Sequence, residues 1–563
     1  MQAIICSVNS KYVHSSPAPW CLKAGVAEFS VGQHTVDIVE GTINEPVGVL
    51  LNRLQKNPAA AYGFCCYIWN ITVVQELVRG LRALQPDSVI VLGGPEVSFC
   101  AQKTLNTLPE ADFVIAGEGE KPFALLLDAL QNGEALDEVP GLCRRMNGNI
   151  CFAGIYRPAG LPPIPDTAEY AAHLNGRIAY LETSRGCPFS CAFCLSGRCD
   201  PVRFFPIDYA KKELLRMANS GAQTVKLIDR TFNCNAVRTK ELLQFLIEQR
   251  GTGFPKTVCF HFEVGADLFD EETLCLLENA PVGLFQVEAG LQSFCPETLQ
   301  AVSRHTDLSR LKANLTRLIG CRRLHVHIDL IAGLPFEGFE RFGQSFDEAF
   351  ALHADQLQLG FLKLIYGSRL REQAQEFDFV WNEQPPYEIT QTRWLTPSEL
   401  QRLHCAEDAL ERLSNSGRFV FTVCYLLKAT RLRPFELFCQ FGSAVFPLPQ
   451  GISLDAYTEL LWDWSLVQPG VEPEKLRDVL VCDRLASVAG GKLPALLKRP
   501  DKRLARLTEG AKKELGLPPG RYGSAILSGY GERLVLVNEA RQDSVGHRFR
   551  LMWKNISENN IIN

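Results

Sequence analysis

Three cysteines at CxxxCxxC spacing constrain this chain most. Cys187, Cys191 and Cys194 stand in Glu182-Thr183-Ser184-Arg185-Gly186-Cys187-Pro188-Phe189-Ser190-Cys191-Ala192-Phe193-Cys194. They follow a strand pattern over 177–183, which Gly186 and Pro188 break into a loop. A loop is what three thiolates need to converge on one centre. Three cysteines do not complete a four-ligand structural site. A three-ligand zinc leaves one position open for chemistry. An iron–sulfur cluster on three thiolates leaves one iron for a substrate or cofactor. With 20 cysteines in 563 residues, CxxC pairs also arise by accident, so the strand-then-loop setting carries the weight.

The length predicts roughly three to four domains. Hydrophobic content of 46% and charged content of 21% are ordinary for globular protein, and a net charge of −5 gives no polyanion-binding signal. The start, Met1-Gln2-Ala3-Ile4-Ile5-Cys6, enters a strand pattern without a basic leader, which predicts no signal peptide. No apolar run reaches about 18 residues, so no membrane span is expected. The unpatterned cysteines predict a reducing cytoplasm rather than a disulfide framework.

Residues 1–135 alternate strand patterns (3–8, 35–39, 60–66, 88–92, 112–116) with amphipathic stretches such as 73–84. This predicts an α/β, doubly wound parallel sheet covered on both faces. Ligands of such sheets bind at the carboxyl ends of the strands. Those ends are Asn9–His14, Tyr67–Asn70, Gly93-Gly94-Pro95-Glu96 and Gly117-Glu118-Gly119-Glu120. Residues 136–176, proline-dense at 157–166, predict an extended linker. Over 177–370 six strand patterns (177–183, 224–228, 257–262, 283–287, 325–330, 356–364) alternate with helices, which predicts an open, partial (β/α)6 barrel with its chemistry where the strands end. Polar groups collect at those ends: the cysteine loop, Asp229, Glu263, Glu288 with Gln292, and Asp329. Several carboxylates at one mouth suggest a polar ligand, because unpartnered buried carboxylates are costly.

The cysteine loop resembles that of the radical S-adenosylmethionine (SAM) enzymes, Phe193 before the third cysteine included. Glu288-Ala289-Gly290-Leu291-Gln292-Ser293, Val302-Ser303-Arg304-His305-Thr306 and Asp329-Leu330-Ile331-Ala332-Gly333-Leu334-Pro335 extend the likeness over the barrel segment. Tyr67-Ile68-Trp69-Asn70, Gly93-Gly94-Pro95-Glu96 and Gly117-Glu118-Gly119-Glu120 resemble the cobalamin-binding domain fused to one class of these enzymes. The resemblance implies a 4Fe–4S cluster on Cys187, Cys191 and Cys194. It also implies SAM bound through Glu263 (ribose), Gln292 and Arg304 (methionine part) and Asp329 (adenosyl side), with Glu288 in the fourth-strand motif. The Gly-Gly-Glu common after the second strand is replaced by Asp229-Arg230-Thr231-Phe232-Asn233, which makes Asp229 and Asn233 the candidates for the amino-group contact. Cobalamin is implied at Asn9, Tyr67, Trp69, Asn70, Gly93, Gly94, Pro95, Glu96, Gly117, Glu118, Gly119 and Glu120. The cobalt-ligating Asp-x-His-x-x-Gly is absent; His14 reads as a loop histidine and the lower cobalt ligand stays open.

By this likeness the chain cleaves SAM reductively and, with cobalamin, methylates an unactivated carbon of an unknown substrate. It draws electrons from a donor such as flavodoxin or ferredoxin. The alternatives are a cobalamin-dependent rearrangement or cyclisation without methyl transfer, and a non-catalytic cobalamin or cluster sensor. Cys199 and Cys234 fall near the loop as candidate catalytic thiols. Residues 371–563 predict a mainly helical, family-specific domain, with a well-capped helix starting at Thr396-Pro397-Ser398-Glu399. Eight basic residues over 492–513 read as a solvated helix face, with RNA contact as the less favoured reading.

Overall fold

Alternate residues of the first strand enter two different cores. Ile4, Cys6 and Val8 of β1 (Gln2–Asn9) pack with Leu50, Leu54, Val74 and Leu77 of the helices Val47–Gln55 and Ile71–Leu84. Ala3 and Ile5 pack with Val26, Phe123 and Leu127 of the helices Ala18–Phe29 and Glu120–Asn132. A strand buried on both faces reads as an unbroken apolar run, as this one does. The computed structural model describes residues 1–165, 167–198, 201–449, 451–488, 492–542 and 548–556. Two compact units emerge: 1–288 with 300–307 and 361–393, and 289–299 with 308–360 and 394–563.

In the first unit β1 pairs in parallel with β2 (Thr35–Thr42) and β3 (Ala61–Cys65), followed by β4 (Val89–Gly93) and β5 (Phe113–Ile115). The order β2-β1-β3-β4-β5 puts the topological switch between β1 and β3. The linker expectation is corrected here. β6 (Leu142–Met146) and β7 (Asn149–Phe152) form a hairpin that extends the sheet antiparallel beyond β5. Its turn is Asn147-Gly148, both at positive φ (52° and 78°). That dipeptide is the strongest short-range hairpin signal. Leu142 and Cys143 are buried by the pairing.

Asp128 ties the rim of this sheet. It accepts hydrogen bonds from Ser30 Oγ, Val31 N, Gly32 N and His34 Nε2 at 2.5–2.9 Å. Burial alone would raise its carboxyl; the donors outweigh it and hold the pKa at about 2 against an ordinary 3.8. A depressed carboxyl contributes its stability above its unfolded pKa and loses it as pH falls through the folded value. Thermal stability should therefore fall as pH drops from 3.8 to about 2, and Asp128→Asn should flatten that acid limb.

The next strands are β8 (Ile178–Leu181), a short ribbon β9 (Ser184–Arg185) with β10 (Arg203–Phe204), then β11 (Thr224–Leu227), β12 (Cys259–Val264), β13 (Phe285–Gln292), β14 (His325–Ala332) and β15 (Gln356–Phe361). The six longer ones follow one another in a single sheet, β8-β11-β12-β13-β14-β15, with β8/β11 and β11/β12 parallel. All six predicted strands form, β13 running on to Gln292. The antiparallel pair β16 (Val380–Trp381) and β17 (Ile389–Gln391) belongs to the first unit.

The tail in the second unit is mainly helical, as expected. Thr396 caps the helix Pro397–Leu410 through a reciprocal capping box with Glu399. A three-stranded antiparallel sheet was not anticipated: β18 (Tyr522–Leu527), β19 (Arg533–Gln542) and β20 (Phe549–Asn555). Within the basic run Arg499 pairs with Glu474, Arg503 with Asp501 and Lys512 with Glu509. Those cations are compensated by carboxylates of the same unit, as a solvated face requires. No helix among the described residues is long and apolar enough to cross a membrane.

Candidate active site

The cysteine loop begins where β8 ends and is anchored by a buried carboxylate. Asp229, at the end of β11, accepts from Thr183 N (2.7 Å), Thr183 Oγ1 (2.6 Å) and Ser184 Oγ (2.7 Å). Its oxygens are thus engaged on the two residues that launch the loop. Asn233 is engaged as well: its amide donates to Gly265 O (2.8 Å) and accepts from Gly265 N (2.9 Å), joining the turns after β11 and β12. Both residues expected at the amino-group contact thus also hold the fold together here.

Gly186 turns the chain at φ +105°, a conformation side chains rarely adopt. Ala192 N then donates to Val302 O and Leu370 N to Ala192 O, pinning the loop from two further segments. Cys187 and Cys191 are buried, and Cys194 is partly so. Cys187 Sγ lies 3.4 Å from Thr231 Oγ1, and Cys194 Sγ accepts from Ser196 N at 3.4 Å. Burial pushes the Cys191 thiol up, and the Arg304 guanidinium, 4.0 Å away, opposes that. Arg304 also lies over the Phe189 ring, 5.4 Å from its centroid. Three thiols from one loop beside one guanidinium are a donor set that fits a thiolate-held cluster, with a cation placed for an anionic ligand. Cys234, partly buried beside Cys187 and Asp229, is pushed up to about 11 by burial, which keeps it a protonated thiol. Cys199 lies outside the described residues.

The inner positions of β11, β12 and β13 carry a charge network that the sequence reading only half anticipated. Lys226 Nζ lies 2.9 Å from Glu288 and 3.7 Å from Glu263, and His261 Nε2 lies 2.9 Å from Glu288. Burial would lower the Lys226 pKa; the two carboxylates outweigh it and raise it. Tyr180 of β8 bonds His14 Nδ1 at 2.7 Å, so His14 is a partnered loop histidine. Tyr180, Lys226 and His261 were missed, although they stand among apolar residues in short strands, which was the available signal.

In the second unit Gln292 ends β13 at φ +69°. A Cβ on Gly290 would fall 2.2 Å from the Gln292 amide nitrogen, so this glycine leaves the amide its place. Asp329 and His327 Nε2 approach to 2.9 Å along β14. Buried Glu337 accepts from Ser293 and Ser345, bracing the chain that follows Gln292.

At the first sheet's carboxyl edge, the expected residues divide into two groups. Tyr67 and Trp69, in the segment that follows β3, stack 4.4 Å apart with planes 7° from parallel, and Trp69 is about half exposed. Asn70 instead bonds Val8 O, Cys65 O and Tyr67 N, closing the switch point. Gly94 and Gly117 have positive φ and leave no room for a Cβ, which would meet Cys66 O at 2.5 Å and Tyr156 O at 2.1 Å. Gly93, Pro95 and Gly119 shape the same turns. Glu96 is buried, its carboxyl raised by that burial, and accepts from the Tyr387 hydroxyl. Glu118 and Glu120 both pair with Arg185 of the cysteine loop at 2.8 Å. Four residues expected to meet cobalamin, Asn70, Glu96, Glu118 and Glu120, are thus engaged within the protein.

Family models match three stretches: "B12 binding domain" over residues 10–127, "Radical SAM superfamily" over 181–349 and "Protein of unknown function (DUF4080)" over 375–514. The chain is similar to 2-(S-pantetheinyl)-carbapenam-3-carboxylate methyltransferase of Streptantibioticus cattleyicolor, 27% identical over 295 residues, 49% of this chain and 43% of that protein. It is similar to the cobalamin-dependent radical SAM methyltransferase TokK of Streptomyces tokunonensis, 26% identical over 296 residues, 49% of this chain and 43% of that protein. The chain therefore spans under half the length of these two relatives. In fold it resembles the cobalamin-dependent S-adenosylmethionine radical enzyme OxsB, solved with aqua-cobalamin and S-adenosylmethionine bound, at a TM-score of 0.58 and 13% identity, over 92% of this chain and 82% of that one. The two matched domains name S-adenosylmethionine and cobalamin as the cofactors that go with them. A match to the B12-binding domain thus precedes a match to the radical SAM superfamily whose three cysteines leave a strand in one loop, which is the domain pair of the cobalamin-binding-domain radical SAM enzymes.

Proposed function

We propose that this protein cleaves S-adenosylmethionine reductively and, with cobalamin, methylates an unactivated carbon of its substrate. The observation that carries the reading is the join of Arg185 to Glu118 and Glu120. It brings the carboxyl edge of the first sheet, where ligands of such sheets bind, to the loop that holds the three cysteines. When bound, the cluster supplies the electron that splits S-adenosylmethionine into methionine and a 5′-deoxyadenosyl radical, and cobalamin supplies the methyl group. The chain's own part is to bind, orient and shield.

In this reading Cys187, Cys191 and Cys194 hold the cluster and Arg304 faces the carboxylate of S-adenosylmethionine. Glu263, held beside Lys226, takes the ribose, while Gln292, Asp329 and Glu288 complete the cofactor's surroundings. Asn9, Tyr67 and Trp69 border the cobalamin site. An electron donor such as flavodoxin or ferredoxin serves it in a reducing cytoplasm.

The test uses anaerobically purified protein with reconstituted cluster and added cobalamin. Retained cobalamin, dithionite-dependent 5′-deoxyadenosine and label from the S-adenosylmethionine methyl group in a product support the reading. Deoxyadenosine and product without label would replace methyl transfer by a rearrangement or cyclisation. Loaded, folded protein that forms no deoxyadenosine would overturn an enzymatic role.

A further inference from the structure

Arg185 lies two residues before Cys187, and its guanidinium is shared between two stretches of chain. Nε and Nη2 donate to the two oxygens of Glu182 at 2.8 and 2.7 Å, within the loop itself. Nη1 donates to Glu118 Oε2 and Glu120 Oε1, both at 2.8 Å, on the turn after β5. Arg203, opposite Arg185 in the β9/β10 ribbon, also pairs with Glu118 and donates to Pro158 O at 3.1 Å. The five side chains are between 9% and 19% exposed.

Two physical points decide what such a network does. Ion pairs this desolvated add little net stability, because desolvation offsets the attraction. A planar guanidinium bonded on three edges does, however, fix direction and separation, which an ammonium or a packed apolar side chain would not. The same carboxylates stand where the family resemblance implied cobalamin contacts, yet both pair with the cysteine loop.

We propose that Arg185 is a positioning residue that holds the cysteine loop against the β5 turn and so sets the separation between cobalamin and the cluster. This rests on the functional reading above. Glu118 and Glu120 act as the fixed side of the clamp, Glu182 orients the guanidinium, and Arg203 keeps Glu118 in place.

Two measurements test it. The first is amide hydrogen exchange over residues 184–198 of the folded chain without added cofactors. Arg185→Met should raise exchange there by about tenfold, and Arg185→Lys, which keeps the charge but not the fork, by about threefold. Unchanged exchange in Arg185→Met would overturn the clamp whatever the protein's activity. The second is electron paramagnetic resonance of protein loaded with cob(II)alamin and reduced cluster, at matched iron and cobalt content. Relaxation enhancement of the cobalamin signal by the cluster should fall at least about twofold in Arg185→Met, because the coupling drops steeply with distance. An unchanged enhancement would overturn the positioning role. Should Arg185→Met not fold or load, the double variant Glu118→Gln with Glu120→Gln, Arg185 intact, is expected to give the same two results and is held to the same failure. Wild-type protein that takes up cluster but no cobalamin would overturn the functional reading and this role with it, while the exchange result would still report on the clamp.

Discussion

Cys191→Ala is expected to lower deoxyadenosine formation by more than about a hundredfold, since loss of a supporting group alone costs a metal site about 10–100-fold and this residue is proposed as a ligand. The thiol is buried between Cys187 and Cys194 and faces the Arg304 guanidinium at 4.0 Å. Alanine removes one sulfur atom and leaves a small void, at a cost to folding of about 1 kcal/mol. The variant should therefore unfold at nearly the wild-type temperature while losing iron and the cluster's visible absorbance. Protein that keeps full iron content and still forms deoxyadenosine would remove Cys191 from the ligand set. A parallel Arg304→Met variant provides the contrast: its cluster should load normally while the S-adenosylmethionine concentration needed for half-maximal cleavage rises.

Asp229→Ala should be the most damaging change away from the cysteines. It removes the acceptor of Thr183 N, Thr183 Oγ1 and Ser184 Oγ together, in a site only 2% exposed. Leaving buried donors unsatisfied costs about 1–3 kcal/mol each, less whatever water and hydroxyl rotation recover, so a net loss of about 3 kcal/mol is expected. Because the stranded donors launch the cysteine loop, iron uptake should fall with stability. Asp229→Asn keeps one acceptor for Thr183 N and should recover most of both. Denaturant unfolding and iron content, measured on the same preparations, check the coupling. Normal iron uptake in a destabilised Asp229→Ala would show that the loop does not depend on this anchor.

Much of the fold was legible because it rests on local periodicity. Apolar strands alternating with amphipathic helices mark parallel sheets covered on both faces, and the strands of both sheets formed where their patterns stood. The Asn147-Gly148 hairpin signal is equally local, but the proline-dense stretch that follows it reads as a linker and masks it. The three-stranded sheet at the end of the chain had no such clear alternation against its surroundings.

Side-chain roles divided along a different line. The cysteine spacing is a one-dimensional property, since the three ligands proposed for one centre come from eight consecutive residues, and so the chain itself pointed to a cluster loop. The family's strand-end motifs were legible for the same reason. What each carboxylate does was not, because a carboxylate looks the same in sequence whether it meets a cofactor, a hydroxyl or an arginine. Asp229 anchors Thr183 and Ser184, Asn233 braces Gly265, Glu96 accepts from Tyr387, and Glu118 and Glu120 receive Arg185. Their partners lie 32 to 291 residues away along the chain. The sequence alone determined which chemistry is proposed for this protein, because ligand type and spacing are local. Only the tertiary structure decided which of its acids remain for that chemistry, because hydrogen bonds and ion pairs are made by proximity in space.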